Sequence, residues 1–155
     1  MYTRVMHNQR IYLDTSILSA INDLREPEKI HETKAFFNKT KKERLCISTL
    51  VLTEANEINN PKRRQEIYDI TNGLEVLEIT DDVVRCSDFY IKHGLIPKTH
   101  VEDALHLACA TINNIKILAS WNYKHIVKLK TRQLVNALNI LQGYNNIDII
   151  SPMEF

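Results

Sequence analysis

Apolar residues follow two rhythms along this chain: short unbroken runs, and longer stretches in which they recur every three or four positions. The short runs read as strands buried on both faces, which need no polar alternation. They fall at 10–14 (Arg-Ile-Tyr-Leu-Asp), 45–48, 74–79, 117–120 and 147–150. Helical spacing fills the intervals at 15–24 (Ile17, Leu18, Ile21), 27–42 (Ile30, Lys34, Phe37), 49–58, 61–72, 81–93, 99–114 and 131–142. The punctuation agrees: Pro27 and Pro61 open helices, while Asn72-Gly73, Gly94 and Gly143 close them. There is no internal repeat or low-complexity segment. Strands alternating with helices predict a three-layer α/β/α sandwich with a central, mostly parallel sheet of about five strands. The whole chain, 1–155, is expected to be a single domain.

Composition narrows the class. With 44% apolar and 25% charged residues the chain is globular rather than disordered. Its three cysteines, Cys46, Cys86 and Cys109, have no paired spacing, which argues against a disulfide scaffold or structural zinc. They read as small buried hydrophobes in a reducing compartment. The longest apolar runs are strand-length, too short to cross a bilayer. The opening MYTRVMHNQR is too polar for a secretory leader. A cytoplasmic protein without membrane contact is expected.

Net charge is +1, but it is unevenly placed. Residues 104–147 contain Lys116, Lys124, Lys128, Lys130 and Arg132 and no acid. A stretch of this kind makes a local positive surface, for which nucleic acid is a natural partner. It also fits an ordinary solvated face, and charge alone does not choose.

In an open parallel sheet, strand C-termini and helix N-termini share one edge, where ligands bind. Asp14 ends the first strand, Glu54 lies in the second turn after the second strand, and Asp103 lies early in the helix before the fourth. Asn122 follows the fourth strand by two residues. Asp14 has a competing role as N-cap of the next helix. Glu54 falls within the apolar stripe Ile47, Leu50, Val51, Ala55, Ile58, where an unpaired acid is costly. Thr99 and Glu102 fit a capping box, which gives Glu102 a structural task and leaves Asp103 as the functional acid. Acids crowded together need a cation. An all-oxygen set without Cys favours Mg²⁺ or Mn²⁺ over zinc, and such ions assist phosphodiester hydrolysis.

Four segments together resemble the PIN domain, the small metal-dependent nuclease fold of the VapC-type toxins of prokaryotic toxin–antitoxin systems. Ile11-Tyr12-Leu13-Asp14-Thr15-Ser16 is similar to the family's opening strand and its metal-binding Asp. Ile47 to Glu54 is similar to the stretch that carries its helix Glu, and Glu102-Asp103-Ala104-Leu105-His106-Leu107-Ala108 to its Asp-Ala-x-x-x-Ala helix. Ile117-Leu118-Ala119-Ser120-Trp121-Asn122 matches its strand followed by Thr/Ser-x-Asp/Asn. The resemblance implies Asp14, Glu54 and Asp103 as the acidic metal site, completed by Ser120 and the fourth catalytic position Asn122 through hydrogen bonds or water; Thr15, Ser16, Ser120, Lys124 and His125 are candidates around the substrate. It further implies an RNA substrate, homodimerisation and a small antitoxin partner. Asn122 stands where many members have Asp, which removes one negative charge and favours one ion where others hold two.

Nearby residues carry two readings each. Trp121 and Tyr123 beside Lys124 could stack on bases, or Trp121 could pack in the core. Lys62-Arg63-Arg64 could grip phosphates or form an exposed helix start. His106 could orient substrate or be a hydrogen-bonded structural residue. Other chemistries lack their parts. His100-Val101-Glu102 has no following Pro-Cys-x-x-Cys for a deaminase zinc. Neither a G-x-S-x-G elbow nor a P-loop is present. Two functional readings remain, a metal-dependent ribonuclease and a non-catalytic module that binds RNA or an antitoxin.

Overall fold

Every position of the first strand is buried, and the two residues on either side of Tyr12 face the opposite way from it, so the sheet must be covered on both faces. The structure, a computed structural model, describes residues 8–155. Most of the polar opening weighed above as a leader therefore lies outside the described residues. The strands are β1 (Ile11–Leu13), β2 (Leu45–Ser48), β3 (Glu75–Leu77), β4 (Ile117–Ala119) and β5 (Asp148–Ile150). The helices are α1 (Thr15–Ala20), α2 (Pro27–Lys39), α3 (Thr49–Asn56), α4 (Pro61–Thr71), α5 (Asp81–Lys92), α6 (Val101–Ile112) and α7 (Leu129–Gln142). Short 3₁₀ turns at Lys42–Arg44 and Pro152–Glu154 complete the described elements.

The sheet is parallel throughout, in the order β3-β2-β1-β4-β5. The chain thus winds outward from β1 in one direction and then returns to build on its other side. β1 and β4 pair in register, Ile11 opposite Ile117 and Leu13 opposite Ala119, and the crevice beyond their C-termini is the switch point where such folds bind ligands. Strand alternation separates two cores. Ile11, Leu13, Ile47, Ile117 and Ala119 pack with residues of α1 to α4, including Ile17, Phe36, Val51 and Ile67. Tyr12, Cys46, Leu118 and Ile149 pack with α5 to α7 through Cys86, Tyr90, Leu107 and Leu138. The three-layer α/β/α expectation holds, with the helices divided by their place in the chain.

Several boundaries move. The first helix ends at Ala20 rather than 24, and α2 ends at Lys39, with Thr33 and Phe36 as its buried residues and Lys34 exposed. The strand at 74–79 shrinks to three residues, two of them exposed, because it is the sheet edge and is paired only on the β2 side. The capping box expected at Thr99 and Glu102 is not formed. Thr99 lies in a turn in which His100 N–H donates to the Pro97 carbonyl, so the helix opens one residue later with His100 at its cap. The Thr99 hydroxyl contacts the His100 ring instead, at 2.9 Å. In α7, Leu138 is in the core and Leu134 packs against it, whereas Leu141 is 74% exposed, so these three leucines do not form one outward face.

Candidate active site

Asp14 is placed by the end of β1, where its N–H still donates to the Ala119 carbonyl. One carboxylate oxygen accepts from the Ser16 hydroxyl at 2.5 Å, and the other accepts from the Ser120 hydroxyl. The same group caps α1 through Ile17 N–H, so both roles read from the sequence fall on one side chain. Ser16 also accepts from Trp121 N–H, and Ser120 from Asn122 N–H, which ties the two strand ends together. Burial pushes the Asp14 carboxyl above its usual range, against the opposing pull of His106 and of the Ser120 and Ser16 hydrogen bonds. Thr15 Oγ1, next along, is buried with no hydrogen-bond partner among the described residues.

Glu54 and Asp103 are held differently. Glu54 Oε1 lies 2.7 Å from His106 Nε2, and Asp103 Oδ2 lies 2.8 Å from His125 Nδ1. His106 is 3% exposed, and its other nitrogen meets the Tyr12 hydroxyl at 2.7 Å, which in turn meets Ser48 at 2.8 Å. A buried chain of four polar groups therefore runs from β2 through β1 and α6 to the acid on α3. Burial works against a charged imidazole at His106, but the bond to Glu54 and the charges of Asp14 and Asp103 outweigh it, and its affinity for a proton is raised. All three acids thus act on one imidazole, which marks their convergence. The His100 ring packs against His125 at a tilt of 56°, with ring centres 4.0 Å apart.

Asn122 turns its carboxamide oxygen onto His125 N–H at 3.0 Å and so fixes the turn that carries His125. Lys124 is exposed on that turn. Trp121 takes its packing role: it is 7% exposed and donates from Nε1 to Thr33 Oγ1, leaving Tyr123 outside. Arg63 and Arg64 bond to the Ser19 and Ile58 carbonyls, so the basic triplet at the start of α4 braces neighbouring loops. The acid-free stretch is also not one patch. Lys116 precedes β4 at the opposite end of the sheet from Lys124, and Arg132 is paired with Glu154. Sequence reasoning missed Tyr12, Ser48 and the pairing of His106 with Glu54. The available signal was a polar group at three positions that the apolar pattern places inside.

Among the described residues, no three His, Cys, Asp or Glu side chains already stand together as a metal site. The donor set nevertheless suits a hard cation. Glu54 Oε2 and Asp103 Oδ1 have no hydrogen-bond partner among the described residues, and Asp14 is a desolvated carboxylate. All three thiols lie in the core.

The PIN domain family model matches residues 11–128. The chain belongs to the PIN domain family. Among solved structures, it is similar to a toxin–antitoxin complex from Klebsiella pneumoniae, at 16% identity and TM-score 0.63, over 92% of this chain and 97% of that one. It is also similar to VapC20 of Mycobacterium tuberculosis, described as a Sarcin-Ricin loop cleaving toxin. There the identity is 17% and the TM-score 0.57, over 74% of this chain and 92% of that one. A third is VapBC2 from Rickettsia felis bound to a promoter DNA fragment, at 17% and 0.54, over 91% and 98%. At these identities the likeness is one of fold, the PIN fold of VapC proteins. No curated protein matches the chain. Among the described residues no helix is long and apolar enough to cross a membrane.

Proposed function

We propose that this PIN domain protein is a Mg²⁺- or Mn²⁺-dependent ribonuclease and acts as a VapC-like toxin with a small antitoxin partner. The observation that supports the reading is the position of Asp14, Glu54 and Asp103 on one edge of the sheet, each held by its own partners: Ser16 and Ser120, His106, and His125. Asp14, Glu54 and Asp103 would hold the cation, through the free oxygens of the latter two and a modest turn of their side chains. When bound, a divalent ion supplies a more acidic water and charge stabilisation at phosphorus. The chain's own groups do the rest. Ser16 and Ser120 fix the Asp14 oxygens, His106 orients Glu54, and His125 orients Asp103. Thr15 and Lys124 would serve the substrate, and Asn122 holds the turn that carries His125. Homodimerisation and a cytoplasmic setting belong to the same proposal.

The test is chelator-sensitive cleavage of mixed RNA by wild type, Asp14→Asn and Asp103→Asn purified identically. Cutting by wild type alone supports the reading, and equal cutting by all three refutes it. The alternative, a module that binds RNA or antitoxin without cleaving, is favoured by the lack of a preassembled three-ligand cluster among the described residues. It requires RNA binding that is indifferent to Mn²⁺ and no cleavage under any metal.

A further inference from the structure

Two grooves outside the acid crevice differ in charge. One, of about 960 Å³, is lined by Glu26, Glu28 and Glu32 with Lys29 and His31 among them, and by Trp121 and Tyr123. The other, of about 430 Å³, takes Lys92 from the end of α5, Lys98 from the loop before α6, and Lys128 and Lys130 from the start of α7. No acid lines this second groove, and none of its lysines makes an ion pair among the described residues. Lysines on an ordinary solvated face are interspersed with acids, as Lys29 is with Glu26. Here four converge from three elements on a concave floor that includes Leu95 and Ile96.

Two further features favour an anion in this groove. The residue at the N-cap of α7 is Lys128, with no side-chain cap, so the positive end of a 14-residue helix adds to the lysines. The loop that supplies Lys98 runs directly into His100, whose ring packs against His125, the partner of Asp103. The groove therefore leads to the acids.

We propose that this lysine groove is the track on which the phosphate backbone of single-stranded RNA approaches the acid crevice. The proposal rests on the ribonuclease reading and adds the direction from which substrate enters. Lysines that neutralise phosphates release counterions, and each contact adds about 0.7 to the salt slope of single-strand binding.

The experiment measures binding of a mixed-sequence single-stranded RNA across a salt series, with chelator present so that nothing is cut. It compares wild type, Lys92→Ala/Lys98→Ala/Lys130→Ala, and a control, Lys34→Ala/Lys39→Ala, whose lysines are exposed on α2. Lys98→Glu, on an exposed loop, repeats the test should the triple variant fail to fold. The expected result is about a tenfold or greater loss of affinity and a salt slope lower by roughly two for the triple variant, with the control unchanged. Equal binding by wild type and triple variant overturns the track and leaves the ribonuclease reading standing. Equal losses in triple variant and control overturn it as a mere net-charge effect. Unchanged RNA binding with lost binding of poly-glutamate overturns it in favour of an acidic protein segment. No RNA binding by wild type here, together with no cleavage in the metal-supplied assay above, removes the track and the ribonuclease reading together.

Discussion

The acid at the end of β1 and the acids on α3 and α6 share one edge but differ in what holds them. Asp14 is gripped by hydroxyls and a backbone N–H, is 3% exposed, and caps a helix. Glu54 and Asp103 are each held at one oxygen by an imidazole, and their side chains are 28% and 19% exposed. Hydroxyl donors leave a carboxylate's charge in place without cancelling it, so Asp14 carries a burial cost that His106 and its hydrogen bonds offset only in part and that a cation would relieve. Imidazole partners can share or withhold a proton, which leaves Glu54 and Asp103 with room to reorient. The fixed acid sets the position of the site, and the two adjustable ones close it.

Asp14→Asn would break this contrast most sharply. Asn caps helices about as well as Asp, so the variant is expected to lose metal-dependent cleavage entirely while the metal-free protein melts no lower than wild type. Cleavage assays and thermal melts in chelator check both halves. The pH dependence follows from the sign of the shift. A carboxyl raised on folding holds its proton more tightly in the native state. Metal-free stability therefore falls as pH rises from the unfolded value near 3.9 through the folded one, then levels off. Wild type minus Asp14→Asn melting temperatures should trace that fall, and a flat difference would contradict it.

His106→Ala comes next. It leaves the Tyr12 hydroxyl with Ser48 alone on one side and frees Glu54 on the other, at an expected cost of about 1–3 kcal/mol in urea unfolding. Loss of an orienting partner should also lower Mn²⁺ affinity by about 10–100-fold, measured by calorimetry. Undiminished affinity would mean that Glu54 needs no such support.

How far these contacts could be anticipated depended on their range. Asp14, Glu54, Asp103 and Asn122 were legible because the strand–helix alternation puts them on one edge whatever the details of packing. The Tyr12–His106 bond spans 94 positions and depends on where α6 settles over β1, which no local pattern encodes. The capping box failed for a related reason: the turn from Pro97 uses Thr99 before the helix can. The shortened β3 reflects its edge position, a property of strand order rather than of its own apolar residues.

Smaller effects would sharpen the contrast. Ser120→Ala removes one of the donors to Asp14 and should cost about 1 kcal/mol. It would raise the Asp14 carboxyl further, moving the onset of Mn²⁺ binding to higher pH, which a titration of affinity against pH reads directly. Smallest is Glu154→Gln, in the turn that follows β5. The Arg132 hydrogen bond holds Glu154 below its ordinary value, so its contribution is present above the unfolded value near 4.3 and is lost as pH falls through the folded one. With the pair 35% and 41% exposed, melting experiments should register less than about 1 kcal/mol. RNA cleavage should not change.

The placement of the cysteines has a practical consequence. Cys46, Cys86 and Cys109 all belong to the core on the α5–α7 side of the sheet, and burial pushes Cys46 and Cys109 up to about 12. A thiol reagent at neutral pH meets neither exposure nor thiolate until that layer separates from the sheet. Alkylation kinetics therefore time the opening of one layer and are blind to the other, so a detachment of α1 to α4 alone would leave the protein unlabelled.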